Sequence, residues 1–227
     1  MRTAQGRRIA LAGATGLVGQ SLLAQVLADP SVAVVHAFGR RAPPVGHPKL
    51  TAHLVDFAAL PVLPPVDEVY LALGTTIKAA GGQAAFRAVD FGANLAMARA
   101  AKAAGARCAG LVSAIGADVG SSVFYSRVKG ELEQALEALD VEGLVMARPS
   151  LLLGDRAALG QASRLVEKLM TAPAKIFAPL IPAAYRAIPA EIVAQALLRH
   201  TPRAQGVLVL SSADMLAHMI DSEAAAP

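Results

Sequence analysis

The stretch that most restricts how this chain can fold lies near its start. An apolar run, Arg8 to Ala12, passes directly into Gly13-Ala14-Thr15-Gly16-Leu17-Val18-Gly19 and then into a helical pattern from Gln20 to Leu27. Strand, glycine loop and helix in that order set backbone N–H groups at a helix N-terminus, where negative charge is favoured. Glycines at these positions permit a tight turn, let the backbone approach a pyrophosphate, and allow close packing of helix on strand. The segment therefore predicts a dinucleotide site built from Gly13, Thr15, Gly16, Leu17, Val18 and Gly19. The same three glycines argue against reading Arg2, Arg7, Arg8 and the following apolar residues as a secretion signal.

Beyond the loop, apolar runs alternate with helical patterns. Strands are expected at Arg8–Ala12, Val32–Phe38, Leu50–Val55, Glu68–Leu73, Arg107–Val112, Val141–Ala147 and Val207–Leu210, and helices at 17–28, 83–104, 123–139, 156–171 and 189–199. Such alternation predicts an α/β protein with a doubly wound, mostly parallel sheet, the Rossmann arrangement. Runs as apolar as Gly143-Leu144-Val145-Met146-Ala147 suit strands buried on both faces. Pro43-Pro44 and the prolines from Pro61 to Pro65 fall where crossover helices would otherwise stand, so those connections are expected to be short or irregular. The apolar, proline-interrupted stretch Pro173–Pro189 reads as a lid, giving one domain over 1–227 with 150–190 as a short C-terminal, substrate-side cover. The Ala-rich segments 83–104 and 123–139 suit either a homodimer or packing on the sheet.

Composition narrows the classes of function. Hydrophobic residues are 55% of 227, but 50 are alanine, and no run of 18 apolar residues escapes charge, Gly or Pro, so no membrane span is expected despite a mean hydropathy of +0.48. One cysteine, Cys108, forbids an intramolecular disulfide and reads as strand filling; with no leader recognised, a cytoplasmic location is expected. His36, His47, His53, His200 and His218 lack metal-ligand spacing, so no metal is expected. A net charge of +4 with only 4% aromatic residues and scattered arginines gives no stacking platform or basic stripe for nucleic acid.

At the end of the second strand, where an NAD site usually carries an acid for the ribose hydroxyls, stand Gly39-Arg40-Arg41, and no acid occurs between Asp29 and Asp56. Two guanidinium groups suit a 2′-phosphate, which favours NADPH over NADH. By position, Asp56 is expected near adenine and Leu73-Gly74-Thr75 beside the cofactor.

Ser113 ends the fifth strand, and Tyr125 and Lys129 follow at i, i+4 on a helix that Ser121 or Ser122 is expected to cap. A phenol ordinarily holds its proton to about pH 10, and exchanging it near neutrality asks for roughly 4 kcal/mol. An ammonium about 4 Å away, at an effective dielectric of about 20, supplies that order of energy.

These motifs, with Leu73-Gly-Thr-Thr-Ile-Lys-Ala-Ala80, Ala85-Phe-Arg-Ala-Val-Asp90, Val112-Ser-Ala-Ile-Gly-Ala-Asp118, Phe124-Tyr-Ser-Arg-Val-Lys-Gly-Glu131 and Arg148-Pro-Ser-Leu-Leu-Leu-Gly154, resemble an atypical short-chain dehydrogenase/reductase. The similarity is greatest to the branch of the human Tat-interacting protein. It implies Tyr125 as proton donor or acceptor, Lys129 on the nicotinamide ribose, Ser113 orienting a substrate carbonyl or hydroxyl, and Arg148-Pro149-Ser150 beside the nicotinamide. Ordinary members carry Asn-Ala-Gly where this chain has Leu73-Gly74-Thr75. Three functions follow as expectations: an NADPH-dependent oxidoreductase acting on a small, fairly apolar carbonyl substrate, an NADPH-binding regulator, and a sugar-nucleotide epimerase.

Overall fold

A computed structural model describes residues 6–153 and 187–217. Among them, seven strands form one parallel sheet in the order β3-β2-β1-β4-β5-β6-β9. They are β1 (Arg7–Ala12), β2 (Val32–Gly39), β3 (Leu50–Leu54), β4 (Glu68–Leu71), β5 (Cys108–Val112), β6 (Gly143–Arg148) and β9 (Gly206–Ser211). Two further two-residue strands, β7 (Leu152–Leu153) and β8 (Ile188–Pro189), pair with each other and were not anticipated from the sequence. No helix joins β2 to β3 or β3 to β4, as the proline clusters required.

Period-two alternation in the central strands supplies both faces of the sheet. From β1, Ile9 and Leu11 join α1 (Leu17–Ala28) and α6 (Ala190–His200) in one core, where Leu22, Val26, Val193 and Leu197 are buried. Ala10 and Ala12 face the opposite core with α4 (Asn94–Ala103) and α5 (Phe124–Glu137), through Met97, Ala98, Leu132 and Leu136. Alanine at Ala10, Ala12, Ala98 and Ala101 keeps the layers close, which is where much of the alanine excess goes. Each large side chain so buried, Leu22 or Leu132 for example, contributes about 1.5–3 kcal/mol. Cys108 opens β5 as a buried filler.

Burial on both faces holds for the central strands but not at the sheet's edges. In β9, Val207, Leu208 and Val209 are 52%, 36% and 41% exposed, and β3 is mostly uncovered. An edge strand lies beyond the helices that cover the middle of the sheet. The helical pattern at 83–104 divides into α3 (Gln83–Arg87), a π-helical turn (Ala88–Ala93) and α4, preceded by a short α2 (Ile77–Ala80). The expected helix 156–171 and nearly all of the lid at 150–190 lie outside the described residues. No described helix is long and apolar enough to cross a membrane.

Candidate active site

The chain winds outward from β1 to β3 in one direction and from β4 to β6 in the other, so the direction reverses between β1 and β4. In open α/β sheets ligands sit in the crevice beyond the strand ends at such a reversal. A cleft of about 770 Å³ lies there. It brings together Gly13, Thr15 and Gly16 after β1, Arg40 and Arg41 after β2, Asp56 after β3, and Leu73, Gly74 and Thr75 after β4. Residues that follow four different strands thus line one cleft. Ala88, Val89, Gly92, Ala93 and Ala96, from the π turn and α4, add to the lining. Arg40 and Arg41 are exposed at the rim, and the Asp56 carboxylate accepts the Ala58 N–H at 2.9 Å, fixing the turn after β3.

Two glycines make this geometry possible. Gly13 has φ +90°, and a Cβ there would stand 2.5 Å from the Ala72 carbonyl oxygen of the neighbouring strand end. A Cβ on Gly19 would lie 1.9 Å from the Gly13 carbonyl oxygen, so α1 can approach its own loop only as glycine. Leu17, Val18 and Gly19 do not line the cleft; they form the first turn of α1, with Val18 and Gly19 buried beneath the loop.

Ser113, Tyr125, Lys129, Arg148, Pro149 and Ser150 are grouped on the neighbouring elements β5, α5 and β6 and stand outside that cleft's lining. Tyr125 is 36% exposed in the first turn of α5, its ring 5.5 Å from that of Phe86. Neither serine caps this helix through its side chain: Val123 is the N-cap, and the Ser121 hydroxyl accepts the Val123 N–H at 3.1 Å in a turn just before it. Lys129, one turn beyond Tyr125, is buried with its Nζ 2.9 Å from Asp90 Oδ1; the two side chains are 5% and 1% exposed. Asp90 Oδ2 accepts the Thr75 N–H at 2.9 Å. Asn94 Nδ2 donates to the carbonyls of Leu73 and Asp90 at 3.0 and 2.9 Å.

Ser113 is engaged as well. Its hydroxyl donates to Glu133 Oε1 at 2.5 Å, and the same carboxylate receives Arg148 Nε at 3.1 Å and Nη2 at 2.5 Å. This hydrogen-bonded contact with Glu133 holds the Arg148 guanidinium above its usual range. The Pro149 carbonyl accepts the Ile115 N–H at 2.9 Å, and the Ser150 N–H donates to Ser212 Oγ at 2.9 Å, so these residues tie β6 to its surroundings.

Asp90, Asn94 and Glu133 belong to this constellation, and the motif reading assigned none of them a role. Glu133 had a signal: Tyr125, Lys129 and Glu133 recur at i, i+4 and i+8, and Glu133 stands in the buried stripe of Val128, Leu132 and Leu136. Asp90 stood only as the last residue of the Ala85–Asp90 stretch, with no helical face to read it from, because it lies in a π turn, whose extra residue breaks the helical period from which faces are counted.

Solved structures share the fold. An oxidoreductase of the short-chain dehydrogenase/reductase family from Burkholderia thailandensis matches with a TM-score of 0.64 and 18% identity, covering 97% of each chain. MoeE5, solved in complex with UDP-glucose and NAD, matches at 0.64 and 17%, covering 96% of this chain and 82% of its own. These neighbours establish the fold, a Rossmann-type parallel α/β sheet. No established family profile matches the chain. Curated relatives do: protein fmp52-1 of Aspergillus terreus is 40% identical over 157 residues, 65% of this chain and 68% of its own. Protein fmp52 of Aspergillus clavatus is 37% identical over 182 residues, 76% and 78% of the two chains. Both are named as mitochondrial proteins, which overturns the expectation of a cytoplasmic location; the absence of a recognisable leader was too weak a basis for it. At that identity and coverage, the chain belongs to the Fmp52 family.

Proposed function

We propose that this protein is an NADPH-dependent oxidoreductase of the short-chain dehydrogenase type that reduces a small, fairly apolar carbonyl compound. The observation that carries the reading is the cleft itself, with the glycine loop on one wall, Arg40 and Arg41 at the rim, and the Ser113, Tyr125 and Lys129 elements beside it. The cleft fits a dinucleotide: a Cβ at Gly13 would collide with the Ala72 carbonyl, and the loop ends at the N-terminus of the twelve-residue α1. Gly13, Thr15 and Gly16 would hold the pyrophosphate, Arg40 and Arg41 the 2′-phosphate, Asp56 the adenosine end, and Leu73–Thr75 the inner wall. When bound, the nicotinamide exchanges hydride with the substrate carbon.

The chain's own residues manage the proton. The partly exposed Tyr125 hydroxyl gives it to the developing alkoxide, and Lys129 contributes positive charge one helical turn away. Ser113 donates to Glu133, so its oxygen is free to accept a hydrogen bond from a substrate hydroxyl; to donate to a carbonyl oxygen the hydroxyl must first leave Glu133.

The test is titration with NADPH and NADH, followed by cofactor absorbance with a panel of aldehydes, ketones and quinones. NADPH is expected to bind more tightly, and Tyr125→Phe to cut turnover at least about 100-fold while leaving binding intact. Equal NADH affinity would sink the cofactor preference, and turnover surviving in the Phe variant would remove Tyr125. A second reading, a cofactor-binding regulator, draws on the internal engagement of both Lys129 and Ser113. Tight NADPH binding without turnover on any panel member would select it.

A further inference from the structure

We propose that Asp90 is the positioning residue of this site: its carboxylate holds the Lys129 ammonium in place and couples it to the Leu73–Thr75 wall of the cleft. Both carboxylate oxygens are committed, Oδ1 to the Lys129 ammonium and Oδ2 to the Thr75 N–H. The pair is almost completely buried, and removing two charges from water costs more than an apolar contact that would pack α5 on the π turn equally well. A buried pair retained at the edge of a cleft is better explained by the placement of its ammonium than by stability.

The supporting geometry is specific. Val89 and Gly92, flanking Asp90 in the π turn, line the cleft, while Asp90 itself turns inward to α5. Asn94 braces the same turn, its amide bridging the Leu73 and Asp90 carbonyls, so the loop after β4, the π turn and Lys129 form one connected unit. Movement of the loop that walls the cleft is thereby transmitted to the lysine through a single side chain. This role rests on the oxidoreductase reading for its catalytic consequence, but the ion pair can be tested without turnover.

Asp90→Asn keeps the shape and removes the charge. An ammonium left buried without its counter-charge releases its proton more readily. In the cofactor-free full chain, trace acetylation read by mass spectrometry at one fixed, mildly alkaline pH is expected to label Lys129 about tenfold faster or more in Asp90→Asn than in wild type, because the amine has lost its anchor. The exposed Lys78 serves as an unmoved internal control. The kcat of Asp90→Asn is expected to fall about tenfold with KM changed by less than about twofold, a split that a merely structural role would not produce. Should Asp90→Asn fail to fold, Lys129→Met and the double variant Asp90→Asn/Lys129→Met replace it: the double is expected to unfold at a higher temperature than Lys129→Met, since it no longer buries a lone carboxylate. An unchanged labelling rate, or a double variant no more stable than Lys129→Met, overturns the proposal. Faster labelling without any turnover keeps Asp90 and removes the reductase reading; turnover with unchanged labelling does the reverse.

Discussion

Replacing Gly19 by alanine sets two effects of opposite sign against each other. Gly19 lies within α1, where alanine is favoured over glycine by about 1 kcal/mol in helix propensity. The added Cβ, however, would start 1.9 Å from the Gly13 carbonyl oxygen and 2.7 Å from its carbon, and real Cβ atoms essentially never come within 3.0 Å. The obstacle is backbone, so no rotamer relieves it, and α1 must retreat from the loop by about 1 Å or more. Overpacking of this kind costs about 1–3 kcal/mol, and a backbone clash belongs at the upper end, leaving a net loss of about 1–2 kcal/mol after the propensity gain. For a chain of this length that lowers Tm by about 2–8 °C. Retreat of α1 also carries its N-terminus away from the glycine loop that lines the cleft. Losing one charge-assisted hydrogen bond, about 1.5–3 kcal/mol, weakens NADPH roughly 10- to 150-fold. Thermal unfolding and a fluorescence titration read both outcomes. A Gly19→Ala protein at least as stable as wild type, with unchanged NADPH affinity, would refute the argument that close loop–helix approach shapes this site.

Three other outcomes follow from the same geometry. Replacing Arg40 and Arg41 together by alanine is expected to raise the NADPH Kd about tenfold or more, from the loss of charge-assisted contacts, while leaving NADH nearly unchanged; equal losses for both cofactors in parallel titrations would refute the 2′-phosphate assignment. Burial holds the His36 and His53 imidazoles below the usual histidine range, with the two rings 5.1 Å apart. The folded state therefore binds fewer protons than the unfolded one, and stability falls as pH drops below about 6.5. His53→Phe keeps the stack on Phe38, now 4.6 Å between ring centroids, and is expected to show a smaller Tm loss on acidification than wild type; equal losses would refute it. Glu133→Gln removes a buried carboxylate that holds both Ser113 and Arg148. Loss of one partner of a buried pair costs about 3–5 kcal/mol, but the Arg148 side chain is 36% exposed and rehydrates, so about 1–3 kcal/mol and a Tm lower by about 2–12 °C are expected in a thermal melt.

Local pattern alone was enough to place the seven sheet strands within one or two residues, because buried strands read as continuous apolar runs and the turns between them as glycine and proline. The glycine loop, Arg40, Arg41, Asp56 and Leu73–Thr75 were legible for the same reason: a doubly wound sheet puts every strand's end on one edge, so position in the strand order implies position in the cleft. The extent of each helix's cover was not legible, so the uncovered β9 and β3 read like the central strands.

What Tyr125, Lys129 and Ser113 touch was decided only by the tertiary structure. Residue type and spacing put Tyr125 and Lys129 on one helical face, but burial separates them, leaving the phenol partly exposed and turning the ammonium inward to Asp90. Asp90 comes from a different helical segment, 39 positions earlier, and Glu133 meets Ser113 and Arg148 across three elements. A charge excluded from water takes its partner from whatever the fold packs against it, and no periodicity along one segment carries that information.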